Sequence, residues 1–417
     1  MRLEFTIAAA TLLAAVTTAQ SPTNLIGLTH ANSLLVKQDA NTATCVARSC
    51  ATLIPPTPIT GQPAGGTATD GRRSAVWISN GTELRLVDAN TCRDLCPAPI
   101  LMPGVFTASI VTGLAYYDPA DTLFVVDARS RFYRFQPVAG ATGCTLQGGF
   151  VCDASGVHPP GDQIAGLAVD DVNGLLYYTS SSFNTALPNN ILYVAPIGNP
   201  CNPICRIPIR ACGNSLLGAI RGAAYDACKR TTWLTDGRQT AGYLVSNSAC
   251  TVQNVACCPL LLPTNDIYVG LCLRPSESQP FGRSCVGAPC QPCPALRHTT
   301  TWAPIGGSVS FDLSGAPAPA RALLGIGFGP CQSPGVGLPI LCGPIHVFLG
   351  PPPAIFAGPF AVNGVGCNGT LGVRVPVPLN PSLCGFVISS QYILACQGGG
   401  ALGFAVTNCV NTQISSS

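Results

Sequence analysis

The sequence predicts an all-β protein, a five- or six-bladed β-propeller followed by a disulfide-rich β-sandwich. A motif of glycine, alanine and a later aromatic residue recurs four times in the first two-thirds of the chain. Each copy contains short apolar segments separated by turn formers, and no segment has the 3.6-residue apolar period of a helix. The last third carries further short strand-like segments punctuated by Gly and Pro, which is typical of a sandwich.

The repeats align on a glycine, with an aromatic residue eleven positions later. The pairs are Gly66 and Trp77, Gly113 and Phe124, Gly166 and Tyr177, and Gly222 and Trp233. Repeats of about 40–50 residues that contain several strands are typical of propellers. We expect the aromatic residues to pack between blades rather than line a ligand surface, because apolar strand residues flank them.

The two ends of the repeat region resemble two parts of one unit. Residues 26–42 match the later half, and Ile267–Cys272 match the start. A blade assembled from both ends would close the ring and remove its sheet edges. This count gives five blades, whereas placing each fragment in its own blade gives six.

The chain divides into four predicted segments. Residues 1–19 have the charged start, apolar run and small-residue cleavage site of a secretory signal peptide. Residues 20–274 form the repeat domain, 275–300 a Pro- and Cys-rich linker, and 301–417 the sandwich. The sandwich strands are predicted at Ser308–Leu313, Ala322–Phe328, Ile345–Leu349, Leu371–Val377, Phe386–Ser390, Gln391–Ala395 and Leu402–Val406.

Cysteine usage indicates a secreted, extracellular or cell-surface protein. The chain has 23 cysteines, which together with a signal peptide predict disulfides. The count is odd, so at least one thiol is free or bonds another chain. Six cysteines from Cys331 to Cys409 would suffice for three disulfides within the C-terminal domain.

Two cysteine motifs need separate interpretation. Cys290 and Cys293 have CxxC spacing, with His298 nearby. A zinc site normally has a second pair of ligands, so we expect a disulfide here. The adjacent Cys257 and Cys258 are expected to form two separate disulfides.

Charge and motif content argue against several functions. Charged residues are 9% of the chain, the net charge is +3, and no basic block alternates with aromatics, so we expect no nucleic-acid partner. No window after the signal is apolar enough to span a membrane. No HExxH, GxSxG or phosphate-binding loop occurs. The sequence therefore predicts no catalytic, metal-binding or cofactor-binding residue and no cofactor.

Four aspartates are candidates for a channel or ligand surface. Asp127 and Asp236 occupy matching repeat positions, and Asp170 and Asp226 end two glycine-led segments. The simpler expectation is that they cap turns, since an aspartate there satisfies backbone donors. A hydrolase or lyase acting on an extracellular carbohydrate or lactone would need them to converge.

The chain resembles known proteins at two levels. The C-terminal β-domain of many secreted bacterial multi-domain proteins is similar to Phe281–Cys285, Gly306–Pro317, Ala322–Gly325, Gly369–Pro378 and Leu402–Asn408. The repeats resemble NHL-type or lactonase-like propeller blades in general form, without the diagnostic motifs of those families. The resemblance implies an extracellular or cell-surface protein with an accessory terminal domain, and it brings no catalytic residues.

These observations favour a secreted, non-catalytic binding or scaffolding protein. Its propeller would present a surface to an extracellular protein or carbohydrate, and its C-terminal domain would serve attachment or assembly. One alternative is the propeller hydrolase or lyase. A second is a structural envelope or matrix component with an intermolecular disulfide, which the low charge and many cysteines favour.

Overall fold

A computed structural model describes the backbone of residues 23–29, 34–40, 45–51, 65–81, 83–88, 93–100, 110–138, 144–183, 189–209, 211–212, 215–259, 267–273, 278–286, 293–396 and 404–415. The predicted signal peptide lies outside these ranges. Two short 3-10 helices, Asp118–Ala120 and Pro381–Leu383, accompany the strands. In the described part of the chain, no helix has the length and apolar character needed to cross a membrane.

In the described ranges, twenty-one strands precede residue 275. They are β1 (Thr23–Thr29), β2 (Leu34–Ala40), β3 (Cys45–Ala51), β4 (Gly66–Asp70), β5 (Ala75–Ser79), β6 (Leu84–Asp88), β7 (Val111–Tyr117), β8 (Thr122–Asp127), β9 (Arg131–Pro137), β10 (Leu146–Asp153), β11 (Gln163–Asp170), β12 (Leu175–Ser181), β13 (Asn190–Pro196), β14 (Cys205–Ile209), β15 (Ala211–Cys212), β16 (Ser215–Leu216), β17 (Gly222–Asp226), β18 (Thr231–Thr235), β19 (Gln239–Ser246), β20 (Thr251–Pro259) and β21 (Tyr268–Leu273).

These strands form a β-propeller arrangement with four four-stranded blades. The blades are β21-β1-β2-β3, β7 to β10, β11 to β14 and β17 to β20, and β4, β5 and β6 form a three-stranded sheet in the same ring. In the first blade, Leu271 of β21 pairs with Gly27 of β1. The prediction that both ends of the repeat region build one sheet is therefore confirmed.

The repeat glycines lie where the innermost strands of neighbouring sheets meet. A Cβ on Gly66 would lie 3.1 Å from the carbonyl carbon of Gly113, and one on Gly113 would lie 3.2 Å from the nitrogen of Gly166. The contacts continue from Gly166 to Gly222, from Gly222 to Gly270 and from Gly270 back to Gly66, each at 2.8 Å. Backbone atoms cannot move aside, so the sequence repeat reflects close packing of the inner strands.

The repeated aromatic residues pack between blades, as predicted. Buried clusters place Trp77 with Tyr116, Phe124 with Leu167, Tyr177 with Tyr225, and Trp233 with Tyr268. In each pair the second residue belongs to the following sheet. Tyr177 and Tyr225 are stacked, with ring centroids 4.8 Å apart. These side chains therefore stabilise the ring and are not open to a ligand.

Disulfides join neighbouring sheets at the rim of the ring. They are Cys96–Cys144, Cys152–Cys201, Cys205–Cys250 and Cys212–Cys257, with sequence separations of 48, 49, 45 and 45. Each separation is close to one repeat. Cys258 is also disulfide-bonded, so the prediction of two separate bonds for the adjacent pair is confirmed.

Nine strands form the C-terminal sheet. They are β22 (Gln279–Phe281), β23 (Cys285–Val286), β24 (Arg297–Thr300), β25 (Ala303–Pro304), β26 (Ser308–Gly327), β27 (Ile355–Pro376), β28 (Val387–Cys396), β29 (Phe404–Val406) and β30 (Cys409–Ser415). The main path runs β22-β30-β28-β26-β24, β27 pairs with β26, and β29 pairs with β23 and β28. β25 is parallel to β30.

The predicted sandwich is not confirmed, because these strands are hydrogen-bonded in one sheet. β26 is 20 residues long and joins two predicted strands. Pro317 and Pro319 favour a break there, but register shifts accommodate them within the strand. The two strands predicted in 386–395 are likewise one, and Ile345 forms an isolated bridge with Val336 instead of a strand.

Described parts of the segment 275–300 belong to the C-terminal sheet, since they supply β22, β23 and β24. It is therefore not a simple linker. The prediction of three disulfides within Cys331–Cys409 is wrong. Cys331 bonds Cys409, but the other described partners are Cys342 with Cys285, Cys367 with Cys293 and Cys384 with Cys228. Sheet pairing, and not closeness in sequence, decides which thiols meet.

The C-terminal sheet covers one end of the ring. Cys228–Cys384 ties it to the β17–β18 hairpin, and the Trp302 N–H donates to Ser74 Oγ at 2.9 Å in the β4–β5 hairpin. One apolar cluster includes Tyr225 of the propeller and Phe311 of β26. The two parts therefore share a core at this end of the inner strands.

Candidate functional site

Asp127 and Asp236 cap turns at the starting end of the inner strands. Asp127 Oδ1 accepts the N–H groups of Arg129 and Arg131, both at 2.9 Å. Asp236 Oδ1 accepts those of Arg238 and Gln239, both at 2.8 Å. Both carboxylates thus satisfy backbone donors locally.

Asp170 and Asp226 cap hairpins at the opposite end of the inner strands. Asp170 Oδ1 accepts from the Val172 N–H at 3.0 Å, and Asp226 Oδ1 accepts from the Cys228 N–H at 3.0 Å. Asp127 lies opposite Val111, where β7 begins, whereas Asp170 ends β11. At about 3.3 Å per residue, the two ends of an inner strand, and so Asp127 and Asp170, are roughly 20 Å apart along the strand direction. The structure therefore does not bring the four aspartates to one site.

Cys293 of the CxxC motif and His298 are structural, whereas Cys290 lies outside the described residues. Cys293 is disulfide-bonded to Cys367. The ring nitrogens of buried His298 lie 3.1 Å from the Asp312 carbonyl oxygen and 2.8 Å from Ser390 Oγ, and burial lowers the pKa of His298 to about 4. Across the described ranges, no three His, Cys, Asp or Glu side chains are grouped so that they could hold a metal ion.

One serine lies against a histidine on the propeller. His158 Nε2 is 2.7 Å from Ser130 Oγ, and His158 Nδ1 is 3.1 Å from the Pro159 carbonyl oxygen. Ser130 is only 2% exposed and has a φ of 61° in the β8–β9 turn. A nucleophile must meet its substrate, so this contact is better explained as support for the turn.

The central channel is nearly filled. The inner strands enclose a cavity of about 30 Å³, lined among others by Thr67, Tyr116, Val169 and Cys272. At roughly 10–15 Å³ per water, it holds two or three water molecules and no sugar or lactone. Cys272 is the free cysteine of the described residues, and burial raises the pKa of its thiol to about 11. An intermolecular disulfide stays a prediction.

Charged residues that the sequence did not single out lie at the covered end of the channel. One Arg73 guanidinium nitrogen is 2.8 Å from Asp70 Oδ2 and 2.9 Å from Asp121 Oδ1. Burial, and then the charge of neighbouring carboxylates, raises the pKa of both Asp118 and Asp171 well above the ordinary range. This cluster links adjacent hairpins beneath the C-terminal sheet.

A groove of ligand size lies on the outer part of the β7–β10 blade. Its volume is about 400 Å³, within the range of small-molecule sites at roughly 300–1,000 Å³. We call it the rim groove, and its lining residues are Arg134, Gln136, Gln147, Gly148, Gly149, Phe150 and Val151.

Two adjacent glycines shape the rim groove. Gly149 pairs with Arg134 in the ladder, and no atom lies within 4 Å of the position that a Cβ would take. Gly148 has a φ of 140°, and a Cβ there would lie 2.1 Å from the Arg134 carbonyl oxygen. Gly148 therefore permits the backbone path, and Gly149 leaves open the space above the strand.

A buried tyrosine supports Phe150, one of the residues that line the groove. Phe150 is 53% exposed. Tyr133 meets it edge-on, with ring centroids 5.9 Å apart, and the Tyr133 hydroxyl donates to Asp127 Oδ2 at 3.0 Å. Asp127 thus positions Tyr133, which in turn supports Phe150.

The polar side of the groove consists of exposed planar groups. Gln136 pairs with Gln147 across β9 and β10, next to the pair formed by Arg134 and Gly149. Amide and guanidinium groups donate to hydroxyl oxygens, and amides also accept from hydroxyls. The only sequence sign of this surface was a glycine pair followed by an aromatic residue in a strand.

Comparisons with known proteins give structural likenesses only. No protein-family model and no curated protein matches the chain. A functionally unknown protein from Desulfotomaculum acetoxidans is 10% identical, with a TM-score of 0.31 over 56% of this chain and 66% of that chain, just under two-thirds of its length. The β-propeller domain of Cps50 (Swd1) from Myceliophteria thermophila is 8% identical, with a TM-score of 0.33 over 72% of this chain and 85% of that chain.

A protein from Lactobacillus plantarum is 8% identical, with a TM-score of 0.32 over 94% of this chain and 97% of that chain. These scores are low, so the fold described above rests on the sheet topology of this chain.

Proposed function

We propose that this chain is a secreted, non-catalytic binding protein that takes an extracellular carbohydrate in the rim groove. The rim groove of about 400 Å³, which half-exposed Phe150 lines together with Gln136, Gln147 and Arg134, is the observation that carries the proposal. Saccharides combine an apolar ring face with hydroxyl groups. An aromatic side chain can cover the apolar face, and the Gln147 amide and the Arg134 guanidinium can bond the hydroxyl groups. Gln136 Nε2 already donates to the Ala120 carbonyl oxygen at 3.2 Å, which leaves its amide oxygen as an acceptor.

The remaining parts of the fold have supporting roles in this proposal. We count the three-stranded sheet β4-β5-β6 as a fifth blade, because its glycine Gly66 contacts both Gly113 and Gly270. The rim disulfides suit a chain that works outside the cell. The C-terminal sheet would serve attachment or assembly.

Filling the groove tests the proposal. Gly149→Leu places a side chain in open space without a positive φ, so we expect a stable protein that loses saccharide binding at least about 10-fold, as expected when a pocket is blocked. Phe150→Ala should lose stacking worth about 1 kcal/mol. Binding would be measured on a panel of neutral oligosaccharides by isothermal titration calorimetry.

Gly156→Leu is the matched control, because Gly156 also has no atom within 4 Å of a Cβ position and lies outside the groove. Equal binding by wild type, Gly149→Leu and Phe150→Ala would overturn the proposal, as would failure of the wild type to bind any member of the panel.

A further inference from the structure

Arg221 lies at the end of the ring opposite the C-terminal sheet. It immediately precedes the ring glycine Gly222, where β17 begins. Its half-buried side chain passes Gly237, where a Cβ would lie 3.2 Å from Arg221 Cδ. We call the surface formed by Arg221, Phe183 and Gly237 the channel mouth.

The guanidinium of Arg221 reaches the neighbouring blade. Its central carbon lies 5.2 Å from the centroid of the Phe183 ring, which follows β12. A cation over an aromatic ring is attracted by the negative face of the ring. This contact positions the guanidinium group, but an aromatic ring provides no oxygen acceptor for its N–H groups.

Within the part of the chain that the structure describes, no group neutralises this guanidinium directly. Among the described residues it forms no ion pair or hydrogen bond. The nearby Asp236 is occupied, because Oδ2 accepts from the Gly218 N–H at 2.8 Å and from Gln239 Nε2 at 3.0 Å. Burial lowers the pKa of Arg221, and the charge of Asp236 opposes that effect only in part. A half-buried charge without a bonded partner is costly.

The donors of an arginine form a planar fork that matches an oxyanion. Such pairs are often bidentate and are stronger than neutral hydrogen bonds. The cavity behind the channel mouth is only about 30 Å³, so a ligand would lie across the mouth and not inside the channel.

We propose that the channel mouth binds the carboxylate of an acidic saccharide unit, with Arg221 as the anchor. The saccharide part rests on the proposed function, whereas the anion site follows from Arg221 itself. The site is separate from the rim groove, which lies on the outer part of another blade, so the two can be tested independently.

The test compares variants of Arg221 with a variant of Arg238, which follows Gly237 in the β18–β19 turn. Oligogalacturonate, a sulfated oligosaccharide, the corresponding neutral oligosaccharide and an acidic peptide would be titrated into the full chain by calorimetry. We expect Arg221→Gln to weaken oligogalacturonate binding by at least about 10-fold, and Arg221→Lys to weaken it less, because lysine keeps the charge but loses the fork. The exposed Arg238→Gln should bind like wild type.

Thermal unfolding of each variant would show whether it is folded. If Arg221→Gln does not fold, Arg221→Lys still provides the test. Unchanged oligogalacturonate binding by Arg221→Gln, or equal loss in Arg238→Gln, would overturn the proposal. So would Arg221-dependent binding of only the sulfated ligand, or of an acidic peptide in place of both saccharides. If Gly149→Leu loses neutral-saccharide binding while Arg221→Gln changes nothing, the rim groove proposal stands and this one fails.

Discussion

The propeller and the C-terminal sheet are held together by different kinds of contact. In the propeller, glycine contacts, aromatic packing and rim disulfides recur at nearly one repeat length, 45 to 49 residues for the disulfides. In the C-terminal sheet, the described disulfides span 57, 74 and 78 residues, and buried polar groups surround His298. The contacts of the propeller repeat from blade to blade, so they produce a repeated motif in the sequence. The contacts of the C-terminal sheet occur once each and produce no such motif.

The ring of glycines should be the most sensitive part of the propeller. Gly166 has a φ of 73°, and a Cβ there would lie 2.8 Å from the Gly222 carbonyl carbon. Backbone strain and overpacking together should make Gly166→Ala lose about 4 kcal/mol of unfolding free energy. Gly198→Ala, with open space at its Cβ, is the control and should stay near wild type. Denaturant unfolding would measure both, and similar values would show that the inner strands can separate.

The disulfide between the two regions should contribute more than one within the ring. Cys228–Cys384 spans 156 residues and Cys205–Cys250 spans 45. Loop entropy predicts a cost of about 4 kcal/mol for losing Cys205–Cys250 and about 1 kcal/mol more for losing Cys228–Cys384, whose loop is longer. Paired Cys→Ser variants would be compared by calorimetry. Two separate unfolding transitions are expected for the Cys228→Ser/Cys384→Ser variant only. A single transition in that variant would mean that the shared apolar core couples the two regions without the disulfide.

The C-terminal sheet should respond to acid through His298. Burial lowers the pKa of His298 in the folded state from 6.5 to about 4. Above pH 6.5 the imidazole is neutral in both states and the full stability of the fold is present. As the pH falls from 6.5 toward 4, only the unfolded state takes up a proton, so the free energy of unfolding decreases. Between pH 6.5 and 5 this amounts to about 2 kcal/mol at most. His298→Gln should remove that part of the pH dependence. Unfolding free energies of both proteins across this range would test it, and parallel curves would contradict it.

Much of the propeller could be predicted from the sequence. The positions of Gly66, Gly113, Gly166 and Gly222 marked the inner strands, and the fragment at Ile267 marked the strand that closes the ring. In the C-terminal part, two strands were predicted at Ser308–Leu313 and Ala322–Phe328, but one strand continues between them through register shifts. Bulges that absorb a proline depend on the partner strand, which the local sequence does not reveal.

The candidate sites could not be predicted in the same way. The four aspartates are conspicuous in sequence, but each bonds its own turn. The rim groove depends on which residue Gly149 faces across the ladder. The channel mouth depends on a contact between Arg221 and Phe183 of the preceding blade.

The sequence by itself determined an all-β chain with a glycine-led repeat, because spacing along the chain records a packing requirement that each blade shares. The tertiary structure alone decided which cysteines pair, where the sheet bends and which side chains line the rim groove and the channel mouth. Those features arise from contacts between residues far apart in sequence, and no local pattern encodes the partner of such a contact.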